Sequence, residues 1–239
     1  MIKWIFFDID DTLYDQCQPF ARAFQEIFPD RKDMDTEALY RRNCVYTEKV
    51  FEQIQAGIIT PEESVNYRLI HAMADYGQEI DPTDAERFRI CYYDHLYHIS
   101  LSDELYAMLE ECSAKTGLGI ITNGTTDHQR RKIDSLGLAR WIRPEHMIIS
   151  GEADCCKPEK EIFILAQERT GASPDEMVYV GDNYDRDIAG ALGAEWKCVW
   201  MNRRERPVPA GGNPPDAEVH TEAELRDCLI RIADGISVL

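Results

Sequence analysis

The feature that most constrains the fold is an apolar run that ends in acid. Residues Ile2–Ile9 read IKWIFFDI, and Asp8, Asp10 and Asp11 stand at the end of this run or directly after it. A run that is apolar on both faces predicts a buried strand of a parallel sheet. Carboxylates at the end of a buried strand are costly unless something compensates their charge. The stretch therefore predicts a central strand with a charged site at its carboxyl end.

Further apolar segments alternate with helical patterns later in the chain. Four more strands are predicted, at Leu118–Asn123, His146–Ser150, Met177–Asp182 and Lys197–Met201. Helices are predicted at Asp127–Leu136, Glu159–Arg169, between Asp182 and about Leu192, and at Glu222–Ala233, and a surface loop at Pro207–Pro215. Strands that alternate with helices indicate an α/β fold with a parallel sheet.

The segment between the first two strands has a different pattern. Every periodic stretch in it looks helical: Thr36–Ile54 has one mostly apolar face, and Thr60 and Asp81, each followed by proline, are typical helix starts. Roughly 100 residues are far more than an ordinary crossover connection needs. The predicted organisation is a Rossmann-like core, residues 1–14 and 101–239, with an all-helical insertion, residues 15–100.

Composition narrows the class of partner. The net charge of −18 argues against binding to a nucleic-acid backbone, which requires a basic surface. Small phosphorylated ligands remain possible if a cation supplies positive charge. No run of 18 apolar residues occurs and the first residues lack the features of a signal peptide, so we expect a cytoplasmic protein without membrane contact.

The eight cysteines are expected to be reduced and mostly buried, because a large chain without a secretion signal rarely uses disulfides. No CxxC pair occurs. The adjacent Cys155 and Cys156 lack the separation typical of zinc ligands, so we do not expect a metal there.

Polar residues collect where the predicted strands end, which is where open α/β sheets bind ligands. The ends carry Asp8, Asp10, Asp11 and Thr12; Thr122, Asn123 and Gly124; Lys157 and Pro158; and Asp182, with Asp185 and Asp187 following. Convergence of carboxylates, a hydroxyl, an amide and a lysine at four strand ends predicts a functional site at that edge of the sheet.

Asp8 and Asp10 are two residues apart, so in an extended segment their side chains point to the same side. Two carboxylates that close repel each other unless a cation lies between them, and Asp182 from another strand could supply a third oxygen. Such a set suits Mg²⁺. An EF-hand calcium loop is disfavoured, because Leu13 stands where that loop needs glycine and an apolar strand precedes it.

Four stretches carry a family resemblance. In chain order they are Asp8-Ile9-Asp10-Asp11-Thr12-Leu13, Ile121-Thr122-Asn123-Gly124, Lys157-Pro158 with Ile162-Phe163 following, and Gly181-Asp182-x-x-x-x-Asp187. They resemble the four motifs of the haloacid dehalogenase-like hydrolase superfamily, in the phosphatase branch with a helical cap inserted after the first motif. The resemblance covers nearly the whole chain, and Asp154 departs from the glycine that relatives often have.

The resemblance implies an aspartyl-phosphate mechanism. Asp8 would be the nucleophile, and Asp10 would protonate the leaving oxygen and then deprotonate the hydrolytic water. Mg²⁺ would be held by Asp8, Asp182 and the backbone carbonyl of Asp10. Asp11 and Asp15 are expected to lie outside the chemistry.

Four other residues receive roles from the same resemblance. Thr122, the backbone of Asn123 and Lys157 would hold the phosphate oxygens in the transition state. Asp187 would orient Lys157 or a metal-bound water from the second layer of side chains. The cap would close over the site and select the leaving group, but we assign no cap residue to substrate binding.

The expected function is a Mg²⁺-dependent phosphatase for small phosphomonoesters, either nucleoside monophosphates or sugar phosphates. Asp10 favours phosphoryl transfer over carbon–halogen cleavage, since the halide-releasing members of the superfamily lack an aspartate there. The alternatives are a phosphomutase of the same family and a non-enzymatic phospho-acceptor or metabolite-binding module. The oligomeric state is left open.

Overall fold

The computed structural model describes residues 1–236, apart from the side chain of Gln55. Strands β1 to β6 are Trp4–Phe7, Gly117–Thr122, Met147–Ile149, Met177–Gly181, Lys197–Met201 and Ala217–Val219. Helices α1 to α9 are Cys17–Ile27, Thr36–Gln55, Pro61–Asp75, Pro82–Leu96, Asp103–Ser113, Thr126–Ser135, Lys160–Thr170, Ala189–Gly193 and Glu222–Ala233. A π-helical turn, Tyr184–Ile188, precedes α8.

The strands form one sheet in the order β3-β2-β1-β4-β5-β6, and every neighbouring pair is parallel. Phe7 at the end of β1 lies opposite Ile120 of β2 and Val180 of β4. The carboxyl ends of these three strands therefore lie side by side. The predicted α/β class with a parallel sheet is confirmed.

Strand β1 is central because its side chains are apolar on both faces. Ile5, Phe6 and Phe7 are fully buried. The Phe6 ring packs edge-on against Trp196 at 5.6 Å between centroids. Gly119 on β2 makes room for that ring, since a Cβ there would lie 2.2 Å from it. Aromatic burial of this kind fixes β1, and with it the start of the acidic loop.

The chain divides into two compact units, residues 1–15 with residues from 100 onward, and residues 16–99. The predicted boundaries lie one residue away from these. The second unit consists of α1 to α4, with Phe20 packed against Tyr40, Phe88 and Tyr92. Its helix starts follow the sequence signals, since the Thr60 side chain accepts a hydrogen bond from the Glu63 N–H and that of Asp81 accepts one from the Thr83 N–H.

Two elements were not predicted. Strand β6 has three residues, of which only Val219 is buried, so it carries no readable alternation. Helix α5 begins at the cap Ser102 and buries Leu105 and Met108, a signal that the sequence does contain. All eight cysteines are free thiols, and half of them are buried. Among the described residues no helix is both long and apolar enough to cross a bilayer.

Gly181 at the end of β4 provides a test of this packing. A Cβ at Gly181 would lie 2.4 Å from Cγ and 2.5 Å from Cβ of Asp187, so the Asp187 backbone would have to move. We expect Gly181→Ala to lower the free energy of unfolding by about 1–3 kcal/mol in urea titrations. Gly193→Ala is the matched control, since its Cβ meets open space, and should be neutral or slightly stabilising. Equal stability of the two variants would contradict the packing described for Gly181.

Candidate active site

The sheet brings the predicted residues to one edge. Asp8 follows β1, Thr122 is the last residue of β2, and Asp182 follows β4. The Asp8 N–H donates to the Val180 carbonyl at 2.8 Å, which extends the β1–β4 pairing to the acid itself. The Asp182 carbonyl accepts from the Trp200 indole at 2.8 Å. Backbone pairing thus places the carboxylates, and Thr122, whose side chain is buried, ends the strand that neighbours β1.

Lys157, in the loop after β3, reaches the centre of this edge. Its Nζ donates to Asp8 Oδ1 at 2.7 Å, to Asp187 Oδ1 at 2.7 Å and to the Tyr179 hydroxyl at 2.8 Å. Only 3% of the side chain is exposed. Burial alone would lower the pKa of Lys157, but the carboxylates of Asp187 and Asp8 outweigh it and raise the pKa above its usual range. Lys157 is therefore a buried cation with three oxygen acceptors.

The side chain of Asn123 holds the Lys157 backbone in place. Its Nδ2 donates to the Lys157 carbonyl at 2.9 Å, and its Oδ1 accepts from the Lys157 N–H at 2.9 Å. The prediction assigned only the Asn123 backbone to the site. The structure adds that the amide ties the end of β2 to the loop after β3.

Asp187 lies beside Lys157, the position from which the predicted orienting role would act. The second carboxylate oxygen of Asp187 accepts from the Asn183 N–H at 2.9 Å. The π-helical turn carries Asp187 back over the end of β4, where Gly181 leaves room for it. The Tyr179 hydroxyl accepts from Lys157 Nζ and donates to the Ile121 carbonyl at 2.7 Å, so it links Lys157 to strand β2.

Asp8, Asp182 and Asp187 each place a carboxylate oxygen within 4.8 Å of the other two. Burial raises the pKa of Asp8 to about 6 in spite of Lys157. Burial and the nearby Asp11 carboxylate raise the pKa of Asp182 well above its usual range. The Lys157 ammonium contacts Asp8 and Asp187, and the Arg206 guanidinium lies 3.8 Å from Asp182, so three carboxylates face two cationic groups. A divalent cation with a preference for oxygen fits this group.

Asp10 lies outside that group of carboxylates and has its own partners. Lys132 Nζ donates to both carboxylate oxygens, at 2.7 and 2.6 Å, and the Tyr14 hydroxyl donates to Oδ1. Gln129 Nε2 lies 3.5 Å from Oδ2. Burial would raise the pKa of Asp10, but Lys132 and Tyr14 outweigh it and lower the pKa to about 2. The Asp10 carboxylate is thus engaged by Lys132 and Tyr14, and the predicted metal ligand at this residue is its backbone carbonyl.

Asp11 and Asp15 are engaged by arginine. Arg204 contacts Asp11 Oδ1 at 3.1 Å and Asp15 Oδ1 at 2.7 Å. Arg203 Nε donates to the Asp11 carbonyl at 3.0 Å. Asp11 adopts a φ of 55°, a left-handed conformation that is unusual for a residue other than glycine. The arginines after β5 therefore hold the loop after β1 in shape.

Sequence reasoning missed Lys132, Gln129, Tyr14, Tyr179 and Arg204. A partial signal existed for two of them. Gln129 and Lys132 are three residues apart on the helix that follows Thr122-Asn123-Gly124, so they share one face of that helix. The direction of that face depends on how α6 packs, which the local sequence does not show.

One protein-family model matches most of the chain. The sequence model of the haloacid dehalogenase-like hydrolases matches residues 2–195, which include all four predicted motifs. The chain belongs to this family. The predicted family and its hydrolase class are thus confirmed.

Characterised relatives and solved structures agree with this membership. N-acylneuraminate-9-phosphatase from Mus musculus is 28% identical over 99% of this chain and 97% of its own. Pyrimidine 5'-nucleotidase YjjG from Escherichia coli is 27% identical over 88% of this chain and 91% of its own. The magnesium-bound HAD-hydrolase YfnB from Bacillus subtilis has a TM-score of 0.71 at 26% identity, covering 95% of this chain and 98% of that one. Haloacid dehalogenases share the fold as well.

The raised pKa of Asp8 gives a prediction for the metal-free protein. Its folded pKa of about 6 lies above the ordinary 3.8, so protonation of Asp8 favours the folded state. This contribution to the free energy of unfolding is complete below pH 3.8 and is lost as the pH rises through 6. Asp8→Asn keeps the group neutral. With a chelator present, we expect the unfolding free energy of the variant to rise by about 1–3 kcal/mol relative to that of wild type as the pH is raised from 4 to 7.5.

Urea titrations at the two pH values measure this gain. Asp185→Asn, at a nearby exposed position, is the matched control and should follow wild type at both. A difference between Asp8→Asn and wild type that does not change with pH would show that the buried charge is not destabilising.

Proposed function

We propose that the protein is a Mg²⁺-dependent phosphatase that hydrolyses small phosphomonoesters through an aspartyl-phosphate on Asp8. The observation that carries the proposal is the Asp8 carboxylate at the end of the central strand, bonded to the buried ammonium of Lys157. Family membership supports hydrolysis. The names of the relatives support phosphate esters as the substrate class.

Asp8 supplies the nucleophile. Lys157 holds its Oδ1 at 2.7 Å, which fixes the orientation of the carboxylate before substrate arrives. An Asp8 oxygen forms a bond to phosphorus while the bond from phosphorus to the leaving oxygen breaks. Asp8, Asp182 and the backbone carbonyl of Asp10 would hold Mg²⁺, which when bound supplies positive charge that reduces repulsion between the carboxylate and the phosphate.

Asp10 moves the protons. With a pKa of about 2 it is a carboxylate in the protein alone, so it takes a proton from the monoprotonated phosphomonoester and passes it to the leaving oxygen, and the alcohol departs neutral. It then accepts a proton from the water that attacks the aspartyl-phosphate, which releases inorganic phosphate and restores Asp8. The Thr122 side chain and the Asn123 backbone would bind the phosphate oxygens as their charge shifts in the transition state, and Lys157 would join them by redirecting the N–H that it donates to Asp8.

Because haloacid dehalogenases share this fold, carbon–halogen cleavage is a competing hypothesis for the reaction. A halide leaves without needing a proton, so a dehalogenase needs no proton donor for its leaving group. In this protein Asp10 is gripped by Lys132, Tyr14 and Gln129, which favours an oxygen leaving group. A phosphomutase would use the same residues with a second hydroxyl in place of water and remains the alternative.

We also propose that the protein is cytoplasmic and that residues 15–100 act as a cap. Nucleoside monophosphates and sugar phosphates are the two groups that we favour. The sugar and nucleotide phosphatases among the relatives support both. A screen of phosphorylated metabolites with release of inorganic phosphate as the readout distinguishes them, and transfer of phosphate without release would indicate a mutase.

Activity on 4-nitrophenyl phosphate tests the proposal. We expect hydrolysis with Mg²⁺, loss of hydrolysis with a chelator, and loss in Asp8→Asn, because an amide cannot attack phosphorus. Asp185→Asn, an exposed aspartate near the same edge, is the control and should keep full activity. Full activity of Asp8→Asn would show that Asp8 is not the nucleophile.

Asp10→Asn tests the acid–base assignment separately. The expected result is a fall in kcat of about 10²–10⁴-fold, because proton transfer is lost, with little change in the Mg²⁺ concentration that gives half-maximal rate. A magnesium titration of the steady-state rate measures both quantities. A large rise in the required Mg²⁺ with little change in kcat would instead make the Asp10 carboxylate a metal ligand.

A further inference from the structure

We propose that Lys132, supported by Gln129 and Tyr14, is the positioning residue for the acid–base carboxylate of Asp10. The inference rests on the proposed phosphatase function. Nothing in the four predicted motifs includes Lys132, which lies on helix α6 more than 120 positions after Asp10 in the chain. We assign Lys132 this positioning role from its contacts with Asp10 and from its burial.

Lys132 is nearly inaccessible to solvent, with 1% of its side chain exposed. Its Nζ lies 2.7 Å from Oδ1 and 2.6 Å from Oδ2 of Asp10, so it holds the carboxylate through both oxygens. A buried ammonium is unfavourable unless it meets an anion. Asp10 provides that anion. Since both Asp10 oxygens approach one nitrogen, rotation of the carboxylate plane is restricted.

Tyr14 and Gln129 complete the grip. The Tyr14 hydroxyl donates to Asp10 Oδ1 from one turn further along the same loop. Gln129 Nε2 donates to the Asn123 carbonyl at 2.8 Å and lies 3.5 Å from Asp10 Oδ2. Gln129 therefore links the end of β2 to Asp10. Gly124 leaves the space for it, because a Cβ there would lie 2.6 Å from Gln129 Nε2.

This arrangement suits a group that must deliver a proton along one direction. In the first half of the reaction Asp10 takes the proton of the monoprotonated phosphomonoester, the new O–H bond then breaks as the proton bonds to the leaving oxygen, and Asp10 is again a carboxylate that faces Lys132. Proton transfer depends steeply on where donor and acceptor lie. Loss of Lys132 should therefore harm the reactions that need the proton most.

A surface ion pair on the same helix provides the contrast. Arg130 contacts Glu152 at 2.7 Å, with exposed side-chain fractions of 47% and 31%. Exposed pairs of this kind contribute little to stability or positioning. Arg130→Met removes a positive charge from α6 two positions before Lys132, and so serves as the matched control.

The test compares leaving groups. Wild type, Lys132→Met, Lys132→Arg, Arg130→Met and Asp10→Asn are assayed as full-length protein with Mg²⁺ on 4-nitrophenyl, phenyl and ethyl phosphate. The quantity compared is kcat/KM, which covers the steps up to cleavage of the ester bond. Nitrophenolate leaves readily without a proton, and ethoxide does not.

For Lys132→Met we expect a loss of about 100-fold or more on ethyl phosphate and of less than about tenfold on 4-nitrophenyl phosphate. Asp10→Asn should show the same trend. The double variant Lys132→Met with Asp10→Asn should be no worse than Asp10→Asn alone, because both changes remove one function. Lys132→Arg should recover part of the loss on ethyl phosphate, and Arg130→Met should match wild type on every ester.

Three outcomes would overturn the inference. They are an equal loss on all esters by a folded Lys132→Met enzyme, no loss on any ester, and losses of Lys132→Met and Asp10→Asn that multiply. Thermal melting shows whether the variants are folded, and Gln129→Leu supports the same comparison if Lys132→Met is not. Wild type that hydrolyses none of the esters would contradict the proposed function itself, whereas active wild type with a uniform Lys132→Met defect contradicts only the positioning role.

Discussion

The buried contact of Lys157 with Asp8 and Asp187 is the interaction on which the rest of the site depends. An ammonium that is 3% exposed must keep its anionic partners, and those carboxylates need it in return. Several local features serve this one contact. The Asn123 amide fixes the Lys157 backbone through two hydrogen bonds, and Gly181 makes room for Asp187.

A second buried lysine separates the roles of two acids that are only two residues apart. Burial raises the pKa of Asp8 to about 6 even with Lys157 at hand, whereas the Lys132 ammonium lowers that of Asp10 to about 2. The two lysines therefore contact different acids, Lys157 the proposed nucleophile and Lys132 the proposed acid–base residue.

The sequence predicts which acids lie at the carboxyl ends of the strands, but it does not predict the lysine and arginine side chains that hold them. Asp8 and Asp182 could be placed because each follows a buried apolar strand, and parallel strands end at one edge. Lys132 and Arg204 could not, because their partners in the acidic loop lie more than 120 residues away and depend on how a helix and a loop pack. The short strand that ends at Val219 escaped for lack of a pattern.

The most direct test of the central claim is to trap the covalent intermediate. Wild type turning over a phosphomonoester with Mg²⁺ is quenched in acid, treated with borohydride, which reduces an aspartyl-phosphate to homoserine, and digested for peptide mass spectrometry. The account predicts homoserine at position 8, only in samples that contained substrate, and none at position 10. Active enzyme that yields no modified peptide, or one modified at another aspartate, would contradict Asp8 as the nucleophile.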